Sequence, residues 1–131
     1  MDKRKAAARS LIVLGCLIVL AGSAIHLLLA YPKVSAALAS SNLEGKLPGA
    51  LRSVFFMIAL TWTALAAITL IATFSKASFS KPIVLFCGFT LLAMVPAWVS
   101  MMGWFVGNEM FVAAGALVVG GGALLRSRHS I

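Results

Sequence analysis

PAWVSMMGWFVGNE, residues 96–109, closes one long apolar run, turns, and opens another. It carries Trp98 and Trp104, and its Glu109 is the only acid in the second half of the chain. Aromatic rings with a polar edge favour the boundary between hydrocarbon and water. The stretch therefore reads as a tight turn at a membrane surface, joining two crossing helices.

Backward from the turn, residues 82–103 form an apolar run long enough for the roughly 20 residues that a helix needs to cross a bilayer. Pro82 suits its first turn, where no backbone donor is missed. Pro96 is internal and is expected to kink the helix, freeing the carbonyl of Leu92. Forward, residues 108–125 form a shorter crossing, whose far end Gly120-Gly121-Gly122 is expected to weaken. Two further runs precede these, at about 10–31 and 50–74, the second holding Arg52 at its start and Trp62 in its middle. Residues 32–49 are the long outer connection, in which Val34, Ala37 and Leu38 at helical spacing allow a short surface helix. Residues 75–81, SKASFSK, are a short polar turn. AGSA at 21–24 resembles a cleavage site, but the apolar run continues to Ala30, so the first run reads as a retained helix.

The chain of 131 residues is 62% hydrophobic and 11% charged. Soluble domains carry about a quarter charged residues, so this one lacks the polar surface to cover a globule in water. Buried backbone groups in hydrocarbon must be paired within the segment, and runs rich in Ala and Leu without strand-like alternation answer that need as helices. The net charge of +8 comes from bases flanking apolar runs, the pattern of membrane anchoring. No basic stripe carries interleaved aromatics on a soluble face, so nucleic acid is not an expected partner. Cys16 and Cys87 fall inside apolar runs and read as small packing residues, with no disulfide framework.

Orientation follows from the bases. With the amino end inside, the inner segments hold Lys3, Arg4, Lys5, Arg9, Lys76, Lys81, Arg126 and Arg128, and the outer ones only Lys33, Lys46 and Arg52. The expected fold is one all-α transmembrane domain over residues 1–131: an integral membrane four-helix bundle, antiparallel and up-down-up-down, with both termini cytoplasmic. Short loops and small size point to a bacterial inner membrane. Gly15 with Gly22, Ala93 with Ala97, and Ala116 with Gly120 are expected to mark faces where helices approach closely.

At about 1.5 Å per residue, His26 and Trp98 lie at one depth near the outer surface, and Arg52 and Glu109 begin descending helices there. His26, Arg52, Asn108, Glu109 and Trp98 thus form the candidate polar site at the outer face. An imidazole beside an acid and a base at a low-dielectric rim is equipped to bind a head group or pass a proton. Against this, Glu109 suits a helix amino end by dipole alone, and helix-end charges often only anchor. Gly22 shares a helix face with His26, which turns the imidazole into the bundle, within reach of the third or fourth helix. Met57, Met94, Met101, Met102 and Met110 are soft donors but ordinary core filler; no metal and no cofactor are expected.

No HExxH, paired Cys or nucleophile elbow appears, and no catalytic residue is assigned. In size and number of crossings the chain is similar to the small multidrug resistance family. The first helix, however, has no acid where those proteins carry an embedded glutamate. Three functions compete. The first is an accessory, structural or lipid-contacting membrane subunit, with the bilayer and a membrane-protein partner or second copy as contacts. The second is a small transporter or channel using His26 and Glu109. The third is a membrane enzyme acting on lipid or quinone. The first needs only packing faces and anchors, which are all present.

Overall fold

The computed structural model describes residues 3–75 and 79–125; Lys76, Arg126 and Arg128, three of the expected anchors, lie outside the described residues. The described chain is all-helical. Helix α1 (Lys3–Ile25) runs through a π-helical turn (His26–Ala30) into α2 (Tyr31–Ala39), followed by α3 (Leu47–Phe74), α4 (Ser80–Met102) and α5 (Val106–Leu124). Four stretches are long and apolar enough to cross a membrane: Lys3–Ala39, Leu47–Phe74, Ser80–Met101 and Val106–Leu124.

The expected connection over residues 32–49 shrinks to residues 40–46, because the first helix does not stop at Tyr31. Pro32 lacks an N–H, and its ring would collide with the carbonyl four residues back in an α-helix. The chain widens by one residue just before it: the Tyr31 N–H reaches the His26 carbonyl, five residues back. Pro32 then occupies the opening of α2, where a missing donor costs little. Val34, Ala37 and Leu38 belong to this continuation rather than to a separate surface helix. The 37-residue helix is about 55 Å long, well beyond the ~30 Å hydrocarbon thickness. Helix α5, with 19 residues, is about 28 Å long and matches that thickness. The α1–α3 hairpin therefore stands taller than the α4–α5 hairpin.

At residues 103–105 the turn is tighter than expected, and α5 begins at Val106 rather than near Asn108. Gly103 ends α4 with a φ of 72°, a left-handed conformation that other residues adopt at a cost. The Asn108 N–H then bonds to the Phe105 carbonyl at 2.9 Å. Helix α4 runs without interruption through Pro96, and Pro82 falls one turn in from its start, still among the residues whose N–H groups lack intrahelical partners.

Helix α1 packs against α3 and α5, and α4 packs against the same two. The buried positions recur every three or four residues: Ala8, Ile12, Gly15, Val19 and Ser23 on α1; Ala59, Trp62, Ala66, Thr69 and Thr73 on α3; Val84, Cys87, Leu91 and Val95 on α4. Steps of three and four keep one face of each helix turned to its neighbours. Neighbours run antiparallel: a Cβ on Gly15 would lie 2.8 Å from the Ala114 carbonyl, and one on Gly121 2.7 Å from the Ala8 carbonyl.

Helix α5 is the most enclosed. Gly15 and Gly121 close its contact with α1, and Gly88, Gly115 and Gly122 close its contact with α4. Without Cβ atoms the backbones come near enough for dispersion contacts that lipid cannot supply. The expectation for Gly120-Gly121-Gly122 is corrected accordingly: α5 continues to Leu124, and Gly121 and Gly122 are buried contact points. The expected faces at Ala93 with Ala97 and Ala116 with Gly120 are also corrected. Those alanines are exposed, and nothing lies within 4 Å of a Cβ built on Gly120. Gly15 does mark a close approach, and Gly22 faces the methyl of Met110 at 3.6 Å.

Cys16 and Cys87 are buried free thiols on α1 and α4. No Cα pair between these helices lies within 8 Å, and a disulfide needs Cα atoms closer than about 7 Å. The thiols act as small apolar core groups.

Candidate functional site

A column of rings fills the half of the protein away from the amino-terminal bases. Trp62, 4% exposed, stands at its centre. Its ring centroid lies 4.9 Å from His26, 5.0 Å from Trp98 and 4.7 Å from Phe111, so one side chain touches groups from the π turn, α4 and α5. Trp98 and Phe111 meet edge-on at 5.1 Å, and Phe105 stacks beyond Trp98 at 6.3 Å. Tilted and edge-on pairs suit the ring quadrupoles. Large rings also fill the space that α3, which has no glycine after Gly49, cannot close by direct backbone approach.

His26 is half-buried and faces the bundle, as Gly22 on its face implied. It meets α3, however, not the third or fourth crossing. Its imidazole stacks on Phe55 at 3.9 Å, and Nε2 lies 2.9 Å from the Phe55 carbonyl. One turn below, the Ser23 and Thr63 hydroxyls lie 2.9 Å apart, and each reaches the Ala59 carbonyl at 2.9 Å. The strongest polar groups on α1 are thus joined to α3 backbone and side chain. His26 also sits where the π turn begins, and such turns are frequent at functional sites.

The other candidate residues take separate places. Trp98 joins His26 through Trp62, at the shared depth read from the sequence. It turns inward, whereas Trp104 is 61% exposed and is the ring suited to a membrane boundary. Arg52 is half-buried and donates from Nη2 to the Ser35 carbonyl at 3.2 Å, fastening α3 to α2. Tyr31 supports the same contact, its ring 6.3 Å from Phe55 and 6.0 Å from Phe56. Glu109 is exposed in the first turn of α5, where the helix dipole favours an anion, and accepts a hydrogen bond from the Trp104 Nε1 at 3.2 Å. Asn108 is wholly buried, with Nδ2 donating to the Gly103 carbonyl at 3.1 Å. Arg52 and Glu109 take different partners rather than each other.

Sequence reasoning did not assign Phe55, Phe111, Ser23 or Thr63 to this region. A signal was present: Phe55, Ala59 and Trp62 are spaced four and three apart, as are Val19, Ser23 and His26. Among the described residues, no three His, Cys, Asp or Glu side chains gather as a metal site.

The chain is a four-helix, all-α protein whose helices can each cross a membrane. No protein-family model, curated protein or solved structure matches it significantly.

Proposed function

We propose that the chain is a multi-pass membrane protein, its four helices crossing up-down-up-down with both termini in the cytoplasm. We assign it an accessory or structural role, contacting lipid and a membrane-protein partner without a catalytic centre of its own. One observation carries this reading. Two polar side chains of the first span fasten it to α3: His26 on the Phe55 carbonyl and Ser23 on the Ala59 carbonyl, beside a Thr63 hydroxyl that bonds the same carbonyl within α3. Polar groups used this way hold membrane helices together. A base or nucleophile waiting for substrate would instead leave its reactive atom open to a cleft.

Gentle solubilisation of the tagged chain, followed by identification of co-purifying polypeptides and lipids, tests the role. A defined membrane complex recovered with wild type and retained in His26→Gln supports it. Ion or solute flux in proteoliposomes that disappears in both His26→Ala and Glu109→Gln would overturn it in favour of transport.

A further inference from the structure

Glu109 carries a charge that nothing else in the described structure balances. Among the described residues, Trp104 is its only hydrogen-bond donor, from Nε1 to Oε1 at 3.2 Å; Oε2 has no partner, and no base forms an ion pair with it. The described bases of this end stand much further out. Glu109 is one residue before Met110, whose methyl meets Gly22. Lys33 lies eleven residues beyond Gly22, and the Arg52 guanidinium is fixed at Ser35, thirteen residues beyond Gly22. At about 1.5 Å per residue, both are more than about 15 Å away along the axis. Salt screens exposed charges over about 10 Å. His26 is nearer in level but turns to α3 and bonds there. The amino end of α5 offsets only about half a charge.

The carboxylate also opens outward. Val106, Val112, Ala113 and Ala116 lie three, three, four and seven residues from it on α5, and all are exposed with it. An apolar stripe thus runs from Glu109 toward the other end of the helix. Above it stands the exposed Trp104, whose N–H holds the carboxylate while its ring face stays open. In a bilayer this is an acid facing lipid just below the ring that marks the boundary, and such an acid calls for a named partner.

We propose that Glu109 and Trp104 bind the primary ammonium of a phosphatidylethanolamine head group, with an acyl chain along Val112, Ala113 and Ala116. The ammonium donates to the free carboxylate oxygen and rests against the indole face. The inference rests on the membrane reading above but not on which side of the membrane holds the termini. A lysine of a partner protein has the same charge, but the head group already lies at this depth and needs no more surface than this open pair. An ammonium brings three N–H donors to the carboxylate. The trimethylammonium of phosphatidylcholine has none and keeps only the ring contact. An exposed ion pair and an exposed cation–ring contact are each worth a few-fold, together about tenfold.

The test uses the full chain in a non-ionic detergent, titrated with phosphatidylethanolamine, phosphatidylcholine or phosphatidylglycerol of identical acyl chains and read by native mass spectrometry. Phosphatidylethanolamine is expected to bind first, about tenfold more tightly than phosphatidylglycerol, with phosphatidylcholine between them. Glu109→Gln should bring phosphatidylethanolamine and phosphatidylcholine to parity. Trp104→Ala should weaken both relative to phosphatidylglycerol. Both positions are exposed, so an unchanged unfolding curve shows that a site, not the fold, was removed. A preference that survives Glu109→Gln overturns the proposal. Millimolar ethanolamine should leave the preference intact; its disappearance would point to a soluble amine and overturn the lipid reading. A photoactivatable side chain in place of Val106 should capture phosphatidylethanolamine in native membranes. Capture of one defined polypeptide instead overturns the proposal in favour of a basic protein partner. Binding in micelles is independent of topology, so reversed termini would revise the orientation and leave the lipid result standing.

Discussion

Gly120 and Gly121 are adjacent, lie in the same helix and have opposite surroundings, so replacing each by alanine isolates the cost of one contact. A Cβ on Gly121 would lie 2.6 Å from Ile12 Cγ1, 2.7 Å from the Ala8 carbonyl oxygen and 3.2 Å from the Ile12 nitrogen. Two of these atoms are backbone, so α1 as a whole must move away. Overpacking of this kind costs about 1–3 kcal/mol. A Cβ on Gly120 meets nothing within 4 Å. Both substitutions gain the same helix propensity, up to about 1 kcal/mol, and that gain cancels in the comparison. Gly121→Ala should therefore be less stable than Gly120→Ala by about 1–3 kcal/mol, the contact term alone. In an equilibrium constant, 1.4 kcal/mol is tenfold. Reversible unfolding in mixed micelles, followed by Trp fluorescence, measures the difference; Gly120→Ala should match or exceed wild type. Equal stabilities for the two variants would refute the proposed seam between α1 and α5.

Trp62→Ala removes the ring that touches three other helices and should destabilise by about 3–5 kcal/mol, whereas Trp104→Ala, at an exposed ring, should change the same unfolding curve far less. His26→Ala loses a stacked ring and a hydrogen bond to Phe55; interhelical bonds in membranes average about 0.6 kcal/mol and such ring pairs about 0.5–1.5, so a loss of about 1–2 kcal/mol is expected by the same assay. Arg52→Ala unfastens α2 from α3, and hydrogen exchange should quicken over residues 31–46 while the buried part of α5 keeps its protection. Mild oxidation should leave Cys16 and Cys87 unbridged on intact-mass analysis, because α1 and α4 hold their Cα atoms too far apart. Reporter fusions at both ends should report the cytoplasm; opposite compartments would refute the proposed topology.

Hydropathy alone located the four helices long and apolar enough to cross, because a span needs only some 18 to 20 apolar residues in a row and that signal is local. It also marked Gly103 as a helix end and the basic residues as flanks. The first helix runs past Pro32, which normally signals a stop, because a π turn at His26–Ala30 lets the chain continue into α2. The inward faces were harder to read. In water, a helix shows its core by alternating apolar and polar sides. For a helix set in a bilayer the outward side meets lipid, which is as apolar as the core, and that contrast disappears. Ala93, Ala97, Ala116 and Gly120 look as fit for close packing as Gly15, Gly88 and Gly121, yet they face outward. Composition and hydropathy, then, determined that this chain forms four helices long and apolar enough to cross a membrane. Only tertiary structure decided which small residue meets which backbone, and that His26 turns to Phe55 and Trp62. Those choices rest on shape fit between helices distant in sequence, which no local pattern of hydrophobicity records.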